Sequence, residues 1–220
     1  MLHSCRLYEF QNKRDMRIYL VTDERLLLGK DLYRTVEAAV KGGVSMVQLR
    51  EKESSTREFV ERAIRLKEVL TPYGVPLIIN DRVDVALAAD ADGVHVGQSD
   101  MPYEMVKRLL PEGKIIGLSV ESPEQVLEAN DYDLDYVAAS PVFSTTTKTN
   151  TIVEWGLDGL RWIRSVSRHP LVAIGGIHSN NVASIFKAGA DSVAVISAIV
   201  SADDPERAAR ELLEKSGEPH

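Results

Sequence analysis

The sequence predicts a single parallel (β/α)8 barrel. Two observations carry this reading, and a third turns it away from the nearest alternative. About eight short apolar runs rich in β-branched residues recur along the 220-residue chain, and helix-period segments lie between them. The first run ends Leu20-Val21-Thr22-Asp23-Glu24, without the glycine-rich turn that an open doubly wound sheet usually carries after its first strand. An open sheet remains the alternative architecture.

The runs are Arg17–Thr22, Val44–Arg50, Pro76–Asn80, Gly93–Gly97, Lys114–Val120, Asp135–Ser140, Pro170–Ile177 and Asp191–Ser197. Each is short and mostly apolar on both faces, as a parallel strand covered on both sides should be. Thr56–Leu70 and Pro205–Lys215 are typical of the amphipathic segments between them, with Thr56 able to cap the first and Pro205 in the first turn of the second. A length of 220 residues suits one barrel. The expected division is therefore an N-terminal lead over 1–16 and a catalytic barrel over 17–216, with no linker between domains.

Composition narrows the function classes. With 44% hydrophobic and 27% charged residues the chain is an ordinary globular one, long enough to fold without disulfides or structural metal. Its lone cysteine, Cys5, forms no intrachain bridge, which suits a reducing cytoplasm. A net charge of −7 argues against nucleic acid as a partner. The sequence has no apolar run of membrane-spanning length and no signal-peptide core.

Barrel enzymes carry their chemistry at the C-terminal strand ends. Strand two ends Gln48-Leu49-Arg50-Glu51-Lys52, strand three Asn80-Asp81-Arg82, and strand four Gly97-Gln98-Ser99-Asp100. Strand five reaches Ser119. The connection after strand six, Pro141–Gly156, is long and rich in Ser and Thr, as functional loops are, and carries Thr145, Thr147 and Lys148. Asp81 and Asp100 on neighbouring strands can share one hard cation such as Mg²⁺, with substrate phosphate oxygens completing its shell. Arg50, Lys52 and Lys148 can neutralise the phosphate charge that remains, and Ser119, Thr145 and Thr147 add hydroxyl donors.

Each residue also has a plainer reading. Asp81 and Asp100 can be helix N-caps, Arg50–Lys52 a solvated charged loop, Thr145–Thr147 ordinary loop residues, and Gln48 a satisfied core amide. His95, mid-strand in Val-His-Val, reads as a core histidine with a hydrogen-bond partner. The coincidence of these groups at the same ends of successive strands favours function over the plainer readings. Gly175-Gly176, before His178-Ser179-Asn180-Asn181, suits a monophosphate site on backbone N–H groups, with Ile196-Ser197 beside it; close helix–strand packing is the alternative.

The ordered set Val47-Gln48-Leu49-Arg50-Glu51-Lys52, Ile79-Asn80-Asp81-Arg82-Val83-Asp84, Gly93-Val94-His95-Val96-Gly97-Gln98-Ser99-Asp100, Thr145-Thr146-Thr147-Lys148, Ala173-Ile174-Gly175-Gly176-Ile177 and Ile196-Ser197-Ala198 resembles the thiamine phosphate synthase family. The resemblance runs from about Ile18 to Ile199. It implies a Mg²⁺-dependent transferase that joins a pyrimidine methyl diphosphate to a thiazole phosphate. It further implies that Gln48, Arg50, Lys52, Asn80, Ser119 and Lys148 hold the pyrimidine diphosphate, with Leu49, Glu51 and Thr146 counted among the substrate-binding residues of the segments 48–52 and 145–148. Asp81 and Asp100 would hold one Mg²⁺, and Thr145, Thr147, Gly176, Ile196 and Ser197 the thiazole phosphate. A homo-oligomer is also implied. Ser140 stands where the family often has Gly, and Ser144 and Thr146 where Pro is common, changes that bear on loop stiffness and remove no binding group. The rivals are the related thiazole tautomerase, a Schiff-base aldolase on the same fold, and a non-catalytic phosphate-binding barrel. The aldolase would need a lysine inside the barrel, whereas Lys114 lies at a strand start.

Overall fold

Each of the eight apolar runs forms a strand, and the strands close on themselves in chain order, all parallel, in a computed structural model that describes residues 17–144 and 154–217. The strands are β1 (Ile18–Val21), β2 (Met46–Leu49), β3 (Leu77–Asn80), β4 (Gly93–Val96), β5 (Ile115–Val120), β6 (Tyr136–Ala139), β7 (Leu171–Ile174) and β8 (Ser192–Val195). The helices are α1 (Leu32–Lys41), α2 (Thr56–Leu70), α3 (Val83–Ala88), α4 (Tyr103–Leu109), α5 (Pro123–Ala129), α6 (Gly156–Val166), α7 (Val182–Lys187), α8 (Ser197–Val200) and α9 (Pro205–Lys215). The expected barrel, rather than the open sheet, is what the chain builds. The 1–16 lead falls outside the described residues.

The strands are shorter than the runs for local reasons. β7 stops at Ile174 because Gly175 and Gly176 turn off the sheet with φ of 106° and 66°. β8 stops at Val195 because Ile196, at φ −117° and ψ −83°, starts α8. α2 has its expected span, but its cap is Ser55, in a capping box with Glu58, and Thr56 is the first helical residue.

Strict alternation along the strands makes two cores. Leu20, Val47, Leu49, Ile79, Val94, Leu118, Val137 and Ala173 face outward and pack under the helices. Tyr19, Val21, Met46, Ile78, Ile115, Tyr136, Ala138, Val172 and Ala194 fill the barrel interior. Gly117 makes room for the Tyr136 ring, since a Cβ there would stand 2.1 Å from Tyr136 Cζ. Gly117→Ala is therefore expected to lower the unfolding free energy by about 1–3 kcal/mol through overpacking, read by urea denaturation. An unchanged midpoint would mean that the ring has room to move.

Candidate active site

At the C-terminal ends of the strands the barrel opens into a cavity of about 750 Å³. Gln48, Arg50, Lys52, Asn80, Asp81, Asp100, Ser119, Gly176, Ile196 and Ser197 all line it. Two other predicted residues do not. Leu49 is fully buried between barrel and helices, and the Glu51 carboxylate accepts from Arg62 at 2.8 Å and from the Ser54 hydroxyl at 2.7 Å. Thr145, Thr146, Thr147 and Lys148 lie outside the described residues.

Asp81 and Asp100 are not caps. α3 begins after Arg82 and α4 after Pro102, neither start having a side-chain cap bond. Asp81 sits at φ 62°, a left-handed conformation uncommon for a residue with a Cβ and concentrated at functional sites. Its N–H donates to the His95 carbonyl at 2.8 Å, and its carboxylate takes Lys52 Nζ at 2.6 Å. The Asp100 carboxylate accepts from the Gly97 N–H at 2.7 Å. Burial pushes Asp100 above the usual aspartate range, and the neighbouring Asp81 carboxyl pushes it further, against the pull of the Gly97 N–H and Lys52. The Lys52 ammonium bonds the Asp81 carboxylate directly, whereas the Asp100 carboxyl beside it is raised by burial and by Asp81. Among the described residues no group of three His, Cys, Asp or Glu converges. The donor set therefore fits a hard cation that takes two carboxylates from the chain and the rest of its shell from phosphate oxygens and water.

Arg50 is not a freely solvated side chain. Asp23, just after β1 and 3% exposed, accepts from Arg50 Nη1 at 2.9 Å and from Arg25 through both carboxylate oxygens. Burial pushes the Asp23 carboxyl up, but the hydrogen bonds and charge of Arg25, with the charge of Arg50, outweigh it and hold it below the ordinary range. Asp23 thus fixes one end of the Arg50 fork and orients it at the cavity mouth.

Below the carboxylates lies a polar floor that strand-end reasoning passed over. Gln48 Nε2 donates to Tyr19 Oη at 2.6 Å, and Tyr19 Oη and Tyr136 Oη are 2.9 Å apart. His95 Nδ1 is 3.0 Å from Tyr136 Oη, and His95 Nε2 is 2.9 Å from Ser119 Oγ. Gln98 Nε2 donates to the Ser119 carbonyl at 2.6 Å. His95 is thus a buried histidine with partners, as its strand position suggested, and it also borders the cavity. Lys114 donates to Asp90 at 2.6 Å and to the Ala91 carbonyl, at the opposite end of the barrel, which removes it as a Schiff-base lysine.

Across the cavity, the glycine turn abuts the β6 loop. A Cβ on Gly175 would stand 2.6 Å from Pro141 Cβ, and one on Gly176 2.8 Å from Phe143 Cβ. Asn181 Nδ2 donates to the Gly176 carbonyl at 2.8 Å, pinning the turn. Ile196 and Ser197 open α8 beside it, where the first N–H groups of a helix have no intrahelical acceptor.

Known proteins share this fold and the family to which the sequence belongs. The family model described as thiamine monophosphate synthase matches residues 18–199. A thiamine-phosphate synthase of Albidiferax ferrireducens is 53% identical over 190 residues, covering 86% of this chain and 87% of the relative. One from Vibrio campbellii is 50% identical, covering 90% and 96%. The solved thiamine phosphate pyrophosphorylase of Pyrococcus furiosus superposes with a TM-score of 0.84 at 40% identity, covering 92% of this chain and 96% of that one. The 3-hexulose-6-phosphate synthase of Salmonella typhimurium, at 21% identity and a TM-score of 0.68, shares the fold. The family match spans every strand and every cavity-lining residue named above, and this chain belongs to the thiamine monophosphate synthase family.

Proposed function

We propose that this protein joins 4-amino-2-methyl-5-(diphosphooxymethyl)pyrimidine to 4-methyl-5-(2-phosphooxyethyl)thiazole, or its carboxylated form, releasing diphosphate and forming thiamine phosphate. The observation that carries the reading is the Asp81–Asp100 pair at one rim of the cavity, facing a glycine turn and the start of α8 at the other. One rim suits a metal-bound diphosphate and the other a monophosphate.

In the reaction the methylene C–O bond breaks, its electron pair leaves with the diphosphate, and the thiazole nitrogen lone pair forms the new C–N bond. That nitrogen carries no proton, so the reaction needs no general base. Asp81 and Asp100 would hold Mg²⁺, which when bound neutralises charge on the diphosphate oxygens. Arg50, held by Asp23, and Lys52 supply fixed positive charge to the leaving group, and Lys148 joins them from the β6 loop. Gln48, Asn80 and Ser119 grip the pyrimidine half. Gly176, Ile196 and Ser197, with Thr145 and Thr147, receive the thiazole phosphate. The 141–156 loop keeps water from the cationic carbon. The small soluble substrates and the lone Cys5 suit a cytoplasmic enzyme, and among the described residues no helix is long and apolar enough to cross a membrane.

The raised Asp100 carboxyl gives a pH prediction with a definite sign. It keeps its proton to a higher pH than the usual aspartate, so protons compete with Mg²⁺ starting from a higher pH than at an ordinary carboxylate pair. In the metal-free protein the folded state binds more protons than the unfolded state between the ordinary and the raised pKa. Folding stability from this group therefore falls as pH rises through that window. Mg²⁺ should accordingly raise Tm more at neutral than at acid pH, read by thermal melts with and without the ion. An equal rise at both would place the ion elsewhere.

The reaction itself is tested by following diphosphate release with ³¹P NMR. Release with both substrates and Mg²⁺ present, stoichiometric with loss of the thiazole phosphate, is the expected result. Release that ignores the thiazole phosphate would make the protein a hydrolase and end this reading.

A further inference from the structure

The polar floor of the barrel is a chain of hydrogen bonds whose direction follows from its first member. An amide nitrogen only donates, so Tyr19 Oη must accept from Gln48 Nε2 and spend its own hydrogen elsewhere. The Tyr136 oxygen is 2.9 Å away. With Tyr19 donating there, Tyr136 accepts and its own hydrogen is available to His95 Nδ1, 3.0 Å away. A neutral imidazole that accepts at Nδ1 carries its proton on Nε2, and that N–H points at Ser119 Oγ, 2.9 Å away. Ser119 Oγ then accepts from within the floor, and its own hydrogen is left for the cavity that Ser119 lines.

The packing keeps the members in place. Burial pushes the Tyr19 and Tyr136 phenols well above their usual range, so each holds its hydrogen at neutral pH. The Tyr19 and Tyr136 rings meet edge to face at 5.9 Å, and the His95 and Tyr136 rings are stacked at 5.6 Å. Gly117 beneath Tyr136 leaves that ring the space it occupies.

We propose that His95 is a positioning residue, held as its Nε2–H tautomer by the one-way chain Gln48→Tyr19→Tyr136→His95→Ser119, so that the Ser119 hydroxyl is committed to donate to an acceptor atom of the bound substrate. The catalytic part of this inference rests on the reaction proposed above, whereas the direction of the chain does not. Gln48 and Ser119, lying on β2 and β5, are thereby linked through the barrel interior. A change at either end re-sets the hydrogen offered at the other.

The opposite amide orientation would reverse every bond and place the proton on Nδ1, so the tautomer decides the matter. ¹⁵N-edited NMR of the imidazole at pH 8, on the full chain without substrate, is expected to show Nε2 protonated and Nδ1 bare. A proton on Nδ1, a mixture, or a doubly protonated ring would overturn the direction. Tyr136→Phe removes the donor to Nδ1 and should release the ring into a tautomer mixture, with kcat down roughly 10–100-fold as for other orienting partners. His95→Gln, whose amide N–H can still serve Ser119, should turn over roughly tenfold faster than His95→Leu. Equal turnover in those two variants, with both folded by circular dichroism, would overturn the positioning role. If wild-type protein makes no product, the proposed reaction fails while the NMR result still stands.

Discussion

Asp100→Asn is expected to lower kcat by about 10²–10³-fold, and Asp81→Asn by a similar factor. Metal stabilisation of a leaving diphosphate is worth several kcal/mol, and about 1.4 kcal/mol is a tenfold change in rate. The substitutions separate charge from architecture. An Asn at 100 still offers an oxygen to the Gly97 N–H, which Asp100 now bonds at 2.7 Å. An Asn at 81 tolerates the φ of 62° as well as Asp does. Both variants should thus fold normally and lose response to Mg²⁺, measured as turnover against Mg²⁺ concentration. Near-normal turnover in both would remove the pair as the cation site.

Gly176→Val is expected to raise the KM for the thiazole phosphate by at least about tenfold, with a much smaller change for the pyrimidine diphosphate. Two effects combine. At φ 66° a β-branched residue costs about 1–2 kcal/mol in backbone strain alone. Its Cβ would also press to 2.8 Å from both Phe143 Cβ and the Ser144 carbonyl, forcing the glycine turn and the β6 loop apart. The Asp81–Asp100 rim lies on β3 and β4, distant in barrel order from β7, so the damage should stay on the monophosphate side. Steady-state kinetics with each substrate varied in turn checks this, and equal effects on the two KM values would remove the two-site division.

The barrel was legible because parallel strands covered on both faces are written as apolar runs, and the alternation that follows each run is a physical necessity. The same rule made Gln48, Arg50 and Ser119 readable as residues that turn inward or reach the rim, and all three line the cavity. It also held what was needed to find the floor. Tyr19 and Tyr136 occupy inward positions, two residues before Val21 and Ala138, but a tyrosine in an apolar run reads as core, and only the closed barrel brings β1, β4 and β6 to one centre. Asp23 was missed for a similar reason. Its partners Arg25 and Arg50 come from the next loop and the next strand, and nothing local marks an aspartate that is 3% exposed as an arginine holder. Glu51 shows the reverse error that a contiguous motif invites. It sits between two cavity residues in sequence, yet turns to Arg62 on α2. The helix-cap alternative for Asp81 and Asp100 could be settled only by seeing where α3 and α4 begin.

The proposed reaction is the metal-assisted joining of two phosphorylated heterocycles in one barrel mouth. Incubating the purified protein with both substrates, with Mg²⁺ or with a chelator, and detecting the product by mass spectrometry tests it most directly. Thiamine phosphate formed with Mg²⁺ and lost with the chelator is the predicted result. No thiamine phosphate with Mg²⁺ present, or equal amounts under both conditions, would contradict it.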